Sequence, residues 1–423
     1  MRIGFVFILI FVFSSFSHAQ NTAASRHPMD YLVFKIAIYG PSDDIFIWWG
    51  HAALIVHNTR WGFSRVFDWG IFSYPSDNFM HDFIRERVQY RSASGLLNFR
   101  SYIEEDRDIV IFTLNLDRRA KEIMLAYAEN SVRPENMYYD YHQFRDNCAT
   151  RIRDIIDMGT MGQFRAAFED APGRLTIRQH VRRFTWFRPL SEWFLCFMMG
   201  QDHDEQISVW DEMFLPVEIA RNIVNFSFID YYGEERQLVS SAEIIHTSKS
   251  RPPILHAPIP TWPFALKIGF IIATLLFQVR IFGKKYPRAS RIFLGLIQSV
   301  LGLFFGIIGS VLVFGAFFMN NDYFRQNFNL LFINPLLLAL VPLGILSAIN
   351  KTPRINPERC LRILWNYVLI VCGLTVLIRP FPFYFQQNYG VQGLILPIAL
   401  ALSCVPDNIY RLKPFIERLR KPG

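Results

Sequence analysis

The sequence predicts two architectures in series: an exported α+β domain, then an all-α membrane domain of five helices. Three observations carry that reading. The first twenty residues and nearly everything after Trp262 are strongly apolar, while the stretch between is mixed. Apolar residues fill 51% of the 423 positions, too many for an ordinary soluble chain. Much of the net charge of +8 falls in short segments that separate or follow apolar runs.

Residues 1–19 read as a secretory signal. Arg2 is the positive start, "IGFVFILIFVFSSF" the apolar core, and "SHA" supplies small residues for cleavage after Ala19. The core is short for a span, although an uncleaved anchor is the alternative. No cysteine follows the cleavage site, so the chain does not read as a lipoprotein itself.

The exported domain is expected over residues 20–261. "YLVFKIAIYG" (31–40), "HAALIVHN" (51–58), "SRVFDWGIFS" (64–73) and "DIVIFTLNL" (108–116) are rich in β-branched and aromatic residues and bounded by turn formers, so they read as strands. The short "TRWG" between the second and third predicts a hairpin. Residues 117–132 read as a helix with Asp117 as its cap. So do residues 146–159, where Asp146 or Asn147 is the cap, Ile152, Ile155 and Ile156 form an apolar stripe, and Gly159 ends the helix. Pro252, Pro253, Pro258 and Pro260 then mark an extended linker.

The membrane domain is expected over residues 262–423, with spans near Phe264–Phe282, Ile292–Met319, Leu330–Ile349, Ile363–Ile378 and Val391–Val405. Lys284, Lys285, Arg288 and Arg291 follow the first span, and Lys351, Arg354 and Arg359 the third. The tail carries Arg411, Lys413, Arg418, Arg420 and Lys421. The other two loops have one arginine each. Basic loops face the cytoplasm, so five spans leave the N-terminal domain outside and the C-terminus inside. The basic residues are thus a topology signal, and nucleic acid is not an expected partner. Almost no ionisable residue lies within a span, which argues against a pump or channel.

Five cysteines without a CxxC pair make a zinc site unlikely on spacing, and neither metal nor cofactor is expected. A Cys148–Cys196 disulfide is one reading; a reactive thiol at Cys148 is the other. Cys148 falls in the first turn of a helix, where the dipole and exposed amides favour a thiolate. A thiolate nucleophile needs a base, and His51, on a strand after Gly50, is the candidate. Asp68 on the neighbouring strand is the candidate orienter of that base. His57 lies about 20 Å along the strand from His51, too far for contact. Set against this, Cys148 can also be read as a small buried hydrophobe and His51 as a core histidine.

"WGHAALIVHN", "VFDWGIFSY" and "YYDYHQFRDNCATRIRDII" together resemble the exported domain of the Lnb-type lipoprotein N-acyltransferases. "MMGQDHDEQ", "EMFLPVEI" and the five C-terminal spans extend the resemblance to most of the chain. It implies a circularly permuted papain-like fold in which the histidine strand precedes the cysteine helix. Cys148 is then the nucleophile, His51 the base and Asp68 the orienter, although asparagine is common at that last place. Trp49, Gly50, Tyr139, Asn147 and Arg151 are expected around the substrate. The implied reaction moves an acyl chain from a membrane phospholipid, through a Cys thioester, to the amino group of a lipoprotein's diacylglyceryl-cysteine. Rival readings are a Cys/His peptidase or amidase acting on cell-wall peptide, and a non-catalytic membrane-anchored receptor or assembly module. Arg174, Arg178 and Arg182, spaced like one helical face and followed by aromatic residues, are read either as a surface for phospholipid headgroups or as a solvated helix face followed by a core helix. Arg151 and Arg153 are read either as donor-phosphate ligands or as surface charges.

Overall fold

The computed structural model describes residues 27–44, 47–72, 89–319, 322–349, 356–381 and 383–403. The expected signal at 1–19 lies outside these residues, as do Ser73, Lys351, Arg354, Cys404, Val405 and the basic tail.

Four expected strands form close to their predicted limits: β1 (Leu32–Tyr39), β2 (His51–Asn58), β3 (Phe63–Phe72) and β5 (Ile109–Leu114). β2 and β3 are the two arms of an antiparallel hairpin. Three further strands complete an antiparallel sheet in the order β7-β5-β1-β2-β3-β4-β6: β4 (Gln89–Leu96), β6 (Tyr138–Asp140) and β7 (Val239–His246). Their sequences, "QYRSASGL", "YYD" and "VSSAEIIH", are polar, short or both, so they carry no strand signal of their own. Pairing with an already formed neighbour makes them strands.

Period-2 alternation gives the sheet two apolar faces. Phe34, Ile36, Leu54, Phe67 and Trp69 pack against α1 (Arg118–Ser131) and α2 (Cys148–Gly159). Ala37, Tyr39, Ala53, Ile55 and Val66 form the core of the opposite face. Asp117 caps α1, its carboxylate accepting the Ala120 N–H at 3.0 Å. In α2 the stripe Ile152, Ile155 and Ile156 is fully buried, as its spacing predicts.

The basic stripe is corrected by the structure. Arg174 lies on a short strand, Pro172–Thr176, and α3 (Ile177–Thr185) begins only after it. Arg178 is fully buried and paired with Asp204 at 2.8 Å. Arg174 and Arg183 converge on buried Glu218, and Arg182 pairs with Glu192. These charges hold α3 to its neighbours, including α4 (Pro189–Met198), rather than facing a headgroup. Burying a guanidinium is tolerable only with such partners.

Among the described residues, four helical segments are long and apolar enough to cross a membrane: α5 (Trp262–Phe282), α6 (Pro287–Phe318), Phe328–Ala348 and α8 (Pro357–Leu377). The third is broken, with 3₁₀ turns at Phe328–Leu331 and Pro335–Ala339 before α7 (Leu340–Ala348). The expected fifth span is α9 (Tyr389–Leu402), a helix of 14 residues containing Pro397. At 1.5 Å per residue it is about 21 Å long, short of a ~30 Å hydrocarbon core. α9 packs on α5, where Gly269 lies against the backbone of Gly393 and Leu394. The loops after α6 and α8 both bond to the N-terminal domain, through Gln326 to Gln201 and Gln386 to Met199.

Removing one member of the Arg178–Asp204 pair strands the other in the interior. Arg178→Ala is therefore expected to destabilise the fold by about 3–5 kcal/mol. It should lower the thermal unfolding midpoint of the detergent-solubilised chain by several degrees. Arg165→Ala, which removes an exposed pair with Glu169, should leave the midpoint unchanged.

Candidate functional site

The site is assembled where α2 begins. Asn147, rather than Asp146, is the cap: its Oδ1 accepts the N–H groups of Ala149 and Thr150 at 2.8 and 2.9 Å. Its Nδ2 donates to the carbonyls of Gln143 and Phe214 at 2.7 and 3.0 Å. Both ends of the side chain are thus engaged with backbone, and the expected substrate contact at Asn147 becomes a structural one. The cap sets Cys148 as the first residue of the helix, and the Cys148 N–H has no partner among the described residues.

Cys148 meets β2 at its start. The Cys148 thiol lies beside the His51 ring and the Ala52 N–H, both of which favour its ionised form. His51 Nε2 lies 3.1 Å from Asp68 Oδ1, so Nδ1 is the nitrogen left for the thiol. The strand register explains this meeting. Ala53 pairs with Asp68 across β2 and β3, and period-2 alternation puts His51 on the same face. The structure therefore brings together Cys148, His51 and Asp68. His57, at the far end of β2, bonds to Ser64 instead, at 2.9 Å.

Two glycines shape the approach. Gly50 has φ +84°, and a Cβ there would sit 2.6 Å from the Tyr39 carbonyl oxygen. Its room admits the neighbouring strand. Gly70 has φ +81°, a conformation side chains rarely adopt, and it lies against Tyr141 and the start of α2 at Cys148. The importance of Gly70 was readable in "VFDWG", since a glycine inside a strand signals a close approach. That of Tyr141 and of the Ala52 amide was not, because each depends on a long-range contact.

Electrostatics favour a charge-separated pair. Burial opposes ionisation of Cys148, but the adjacent His51 charge, its hydrogen bond and the Ala52 amide outweigh it and lower the thiol below its ordinary range. Burial likewise disfavours the His51 cation. Cys148 and Asp68 overcome that and raise the imidazole to about 10. Cys196 shows what burial does without such partners: its thiol is pushed up to about 12. Both cysteines are free thiols, which settles the disulfide alternative.

The other expected residues take several places. Arg151 forms a two-pronged pair with Asp146 at 2.5 and 2.6 Å, donates to Tyr127 and stacks over the Tyr139 ring at 4.4 Å. These bonds brace the first turns of α2. Arg153 is buried between Asp154 and Trp210. The buried Tyr139 hydroxyl lies toward the Gly70 backbone without a full hydrogen bond. Trp49 packs with Phe144 against Phe184, Phe214 and Leu215, an apolar wall beside the cap of the cysteine helix.

Residues 27–183 match the Lnb N-terminal periplasmic domain family. No curated protein and no solved structure matches the chain.

The lowered thiol predicts how Cys148 reacts. The thiolate is the reactive form, so alkylation by iodoacetamide should already be fast below the ordinary thiol pKa of about 8.5 and be lost as pH falls through the lowered value. In His51→Ala, burial dominates and the midpoint should move above the ordinary value. Catalysis that needs the His51 proton should decline as pH rises through about 10.

Proposed function

With residues 27–183 belonging to the Lnb N-terminal periplasmic domain family, we propose that this chain is a lipoprotein N-acyltransferase of the cell envelope. One observation carries the chemistry: a cysteine at a helix N-terminus in contact with a histidine that is itself held by a carboxylate. The order of histidine strand before cysteine helix is that of permuted papain-like enzymes, some of which move acyl chains.

The Cys148 thiolate attacks the ester carbonyl of a phospholipid. The developing oxyanion is stabilised by the Cys148 amide and the α2 dipole. As the tetrahedral intermediate collapses, the C–O bond breaks and the His51 imidazolium protonates the departing lyso-lipid oxygen. A thioester on Cys148 and a neutral imidazole remain. The neutral α-amino group of a diacylglyceryl-cysteine attacks the thioester, His51 takes its proton, and the C–S bond breaks to regenerate thiolate and imidazolium. Asp68 holds the ring and stabilises its charged form in both halves.

The surroundings favour a long acyl chain. Exposing one to water costs about 0.8 kcal/mol per CH₂, so it should pass between apolar environments. The wall of Trp49, Phe144, Phe184 and Phe214 stands beside the nucleophile's helix. The apolar helices keep the site at the membrane surface. In this reading the membrane is the inner one and the site faces the periplasm. Ester is exchanged for the more stable amide, so the residues on hand are sufficient for the reaction.

The test is mass spectrometry of lipoprotein N-termini from cells lacking the gene, complemented with wild type or with Cys148→Ala. N-acylated peptides should return only with wild type, and a hydroxylamine-sensitive acyl group should be found on Cys148. Equal N-acylation in all three strains would overturn the reading and turn attention to hydrolysis of cell-wall peptide.

A further inference from the structure

The loop that presents Cys148 is a small rigid body. Between His142 and Asp146 the backbone closes on itself with two hydrogen bonds of 3.0 Å. The His142 ring fastens the interior of the turn, its Nδ1 accepting the N–H groups of Phe144 at 3.2 Å and Arg145 at 3.1 Å. A nitrogen that accepts cannot carry the proton, so the ring is fixed as the Nε2–H tautomer. Asp146 then braces Arg151, and Asn147 reaches back to Gln143. Any displacement of this turn is therefore passed to the first turn of α2.

What holds the turn from outside comes from the helical half of the chain. Asp322 lies in the loop after α6 and is the only carboxylate between Glu243 and Glu358. Its Oδ1 accepts from His142 Nε2 at 3.2 Å, and its Oδ2 from Arg145 at 2.6 Å. The next residue, Tyr323, stacks on Phe144 at 6.2 Å, and its carbonyl accepts the Gly200 N–H at 2.9 Å. His203 packs between Phe144 and Tyr323. Both oxygens of one carboxylate are thus aimed at two residues of the turn six and three positions before the nucleophile.

We propose that Asp322 is a positioning residue for Cys148: through His142 and Arg145 it clamps the 142–146 turn, so that the helical domain sets where the thiol stands relative to His51. The inference rests on Cys148 as the reacting group and not on which acyl acceptor is used. It also means that the N-terminal domain carries Cys148, His51 and Asp68 but not every group that fixes their alignment.

The sign of one measurement separates positioning from a simple field effect. Cys148 is faced by His51, Asp68, Tyr139 and Tyr141, and Asp322 by His142, Arg145, Asp202, His203 and Arg325. Loss of a negative charge near a thiol favours the thiolate, so removing the Asp322 charge would by field alone lower the alkylation midpoint. Loosening the turn does the opposite, because the thiol leaves the His51 charge and the Ala52 amide. The experiment is iodoacetamide labelling of the full-length chain in detergent across a pH series, read as mass-spectrometric occupancy of the Cys148 peptide. Asp322→Ala and Asp322→Asn are compared with wild type, and thermal unfolding serves as the folding control. Asp322→Ala should raise the midpoint and slow labelling at pH 7 by about threefold or more. Asp322→Asn keeps an acceptor for His142 and should fall between; it carries the test alone if the alanine variant does not fold. In an acyl-transfer assay the same variants should lose about tenfold in kcat with little change in KM. A midpoint that stays or falls overturns the proposal. Labelling needs no lipid or lipoprotein, so it decides the role of Asp322 even if the acyl-transfer reading fails.

Discussion

A buried charge pair between Cys148 and His51 is the interaction on which the remainder of the site depends. Neither ion is tolerable alone in that position. Cys196, in the same domain, shows a thiol driven strongly toward its neutral form by burial. At Cys148 the same penalty is reversed by a cation, an amide and a helix terminus acting from different sides. The cation in turn persists only because Asp68 and the thiolate flank it. Each partner is therefore a condition for the others, and alignment within a few tenths of an ångström decides whether the pair exists.

That alignment is produced by backbone constraints more than by the three side chains themselves. The β1–β2–β3 register places Tyr39 opposite His51 and Ala53 opposite Asp68, and a slip of one residue would turn the histidine to the other face. Tyr39 also stacks on His51 and on Tyr102, with ring centroids 5.9 and 4.1 Å away, which limits how the imidazole can tilt. On the other side, Asn147 fixes the start of α2 and ties it to Phe214. Gly70, in a left-handed conformation, lets β3 turn past the start of α2.

The parts legible in the sequence were those encoded locally. The three strands around His51 and Asp68, the two helices and the cap of α2 announce themselves through alternation, periodicity and a short polar residue before an apolar stripe. The thiol's place at a helix start follows from the same signal. What was hidden depends on residues distant in sequence. β4, β6 and β7 are strands because of their neighbours. The stripe Arg174, Arg178 and Arg182 was misread because Arg174 precedes the helix and spacing does not say what partners a guanidinium will find. Here its partners, Glu218, Asp204 and Glu192, come from later segments. Spacing also marked α9 as apolar without showing how short the helix would be.

The contact between the two halves of the chain is built from directional bonds. Asp204, held by Arg178, accepts the Gln387 N–H at 2.9 Å, and Gln386 donates to the Met199 carbonyl and to Asn327. Asn327 and Asn329 both donate to the Phe197 carbonyl, and Asn388 donates to Asn329. An unmade bond in such a buried network costs about 1–3 kcal/mol, so a displaced or rotated arrangement would lose several at once. A purely apolar contact of the same extent would tolerate sliding, since dispersion has little directional preference. The network therefore selects one orientation of the N-terminal domain on the helices, and Asp322 and Tyr323 lie at the end of it nearest the nucleophile. The same geometry that joins the halves also fixes where Cys148 stands relative to the apolar helices.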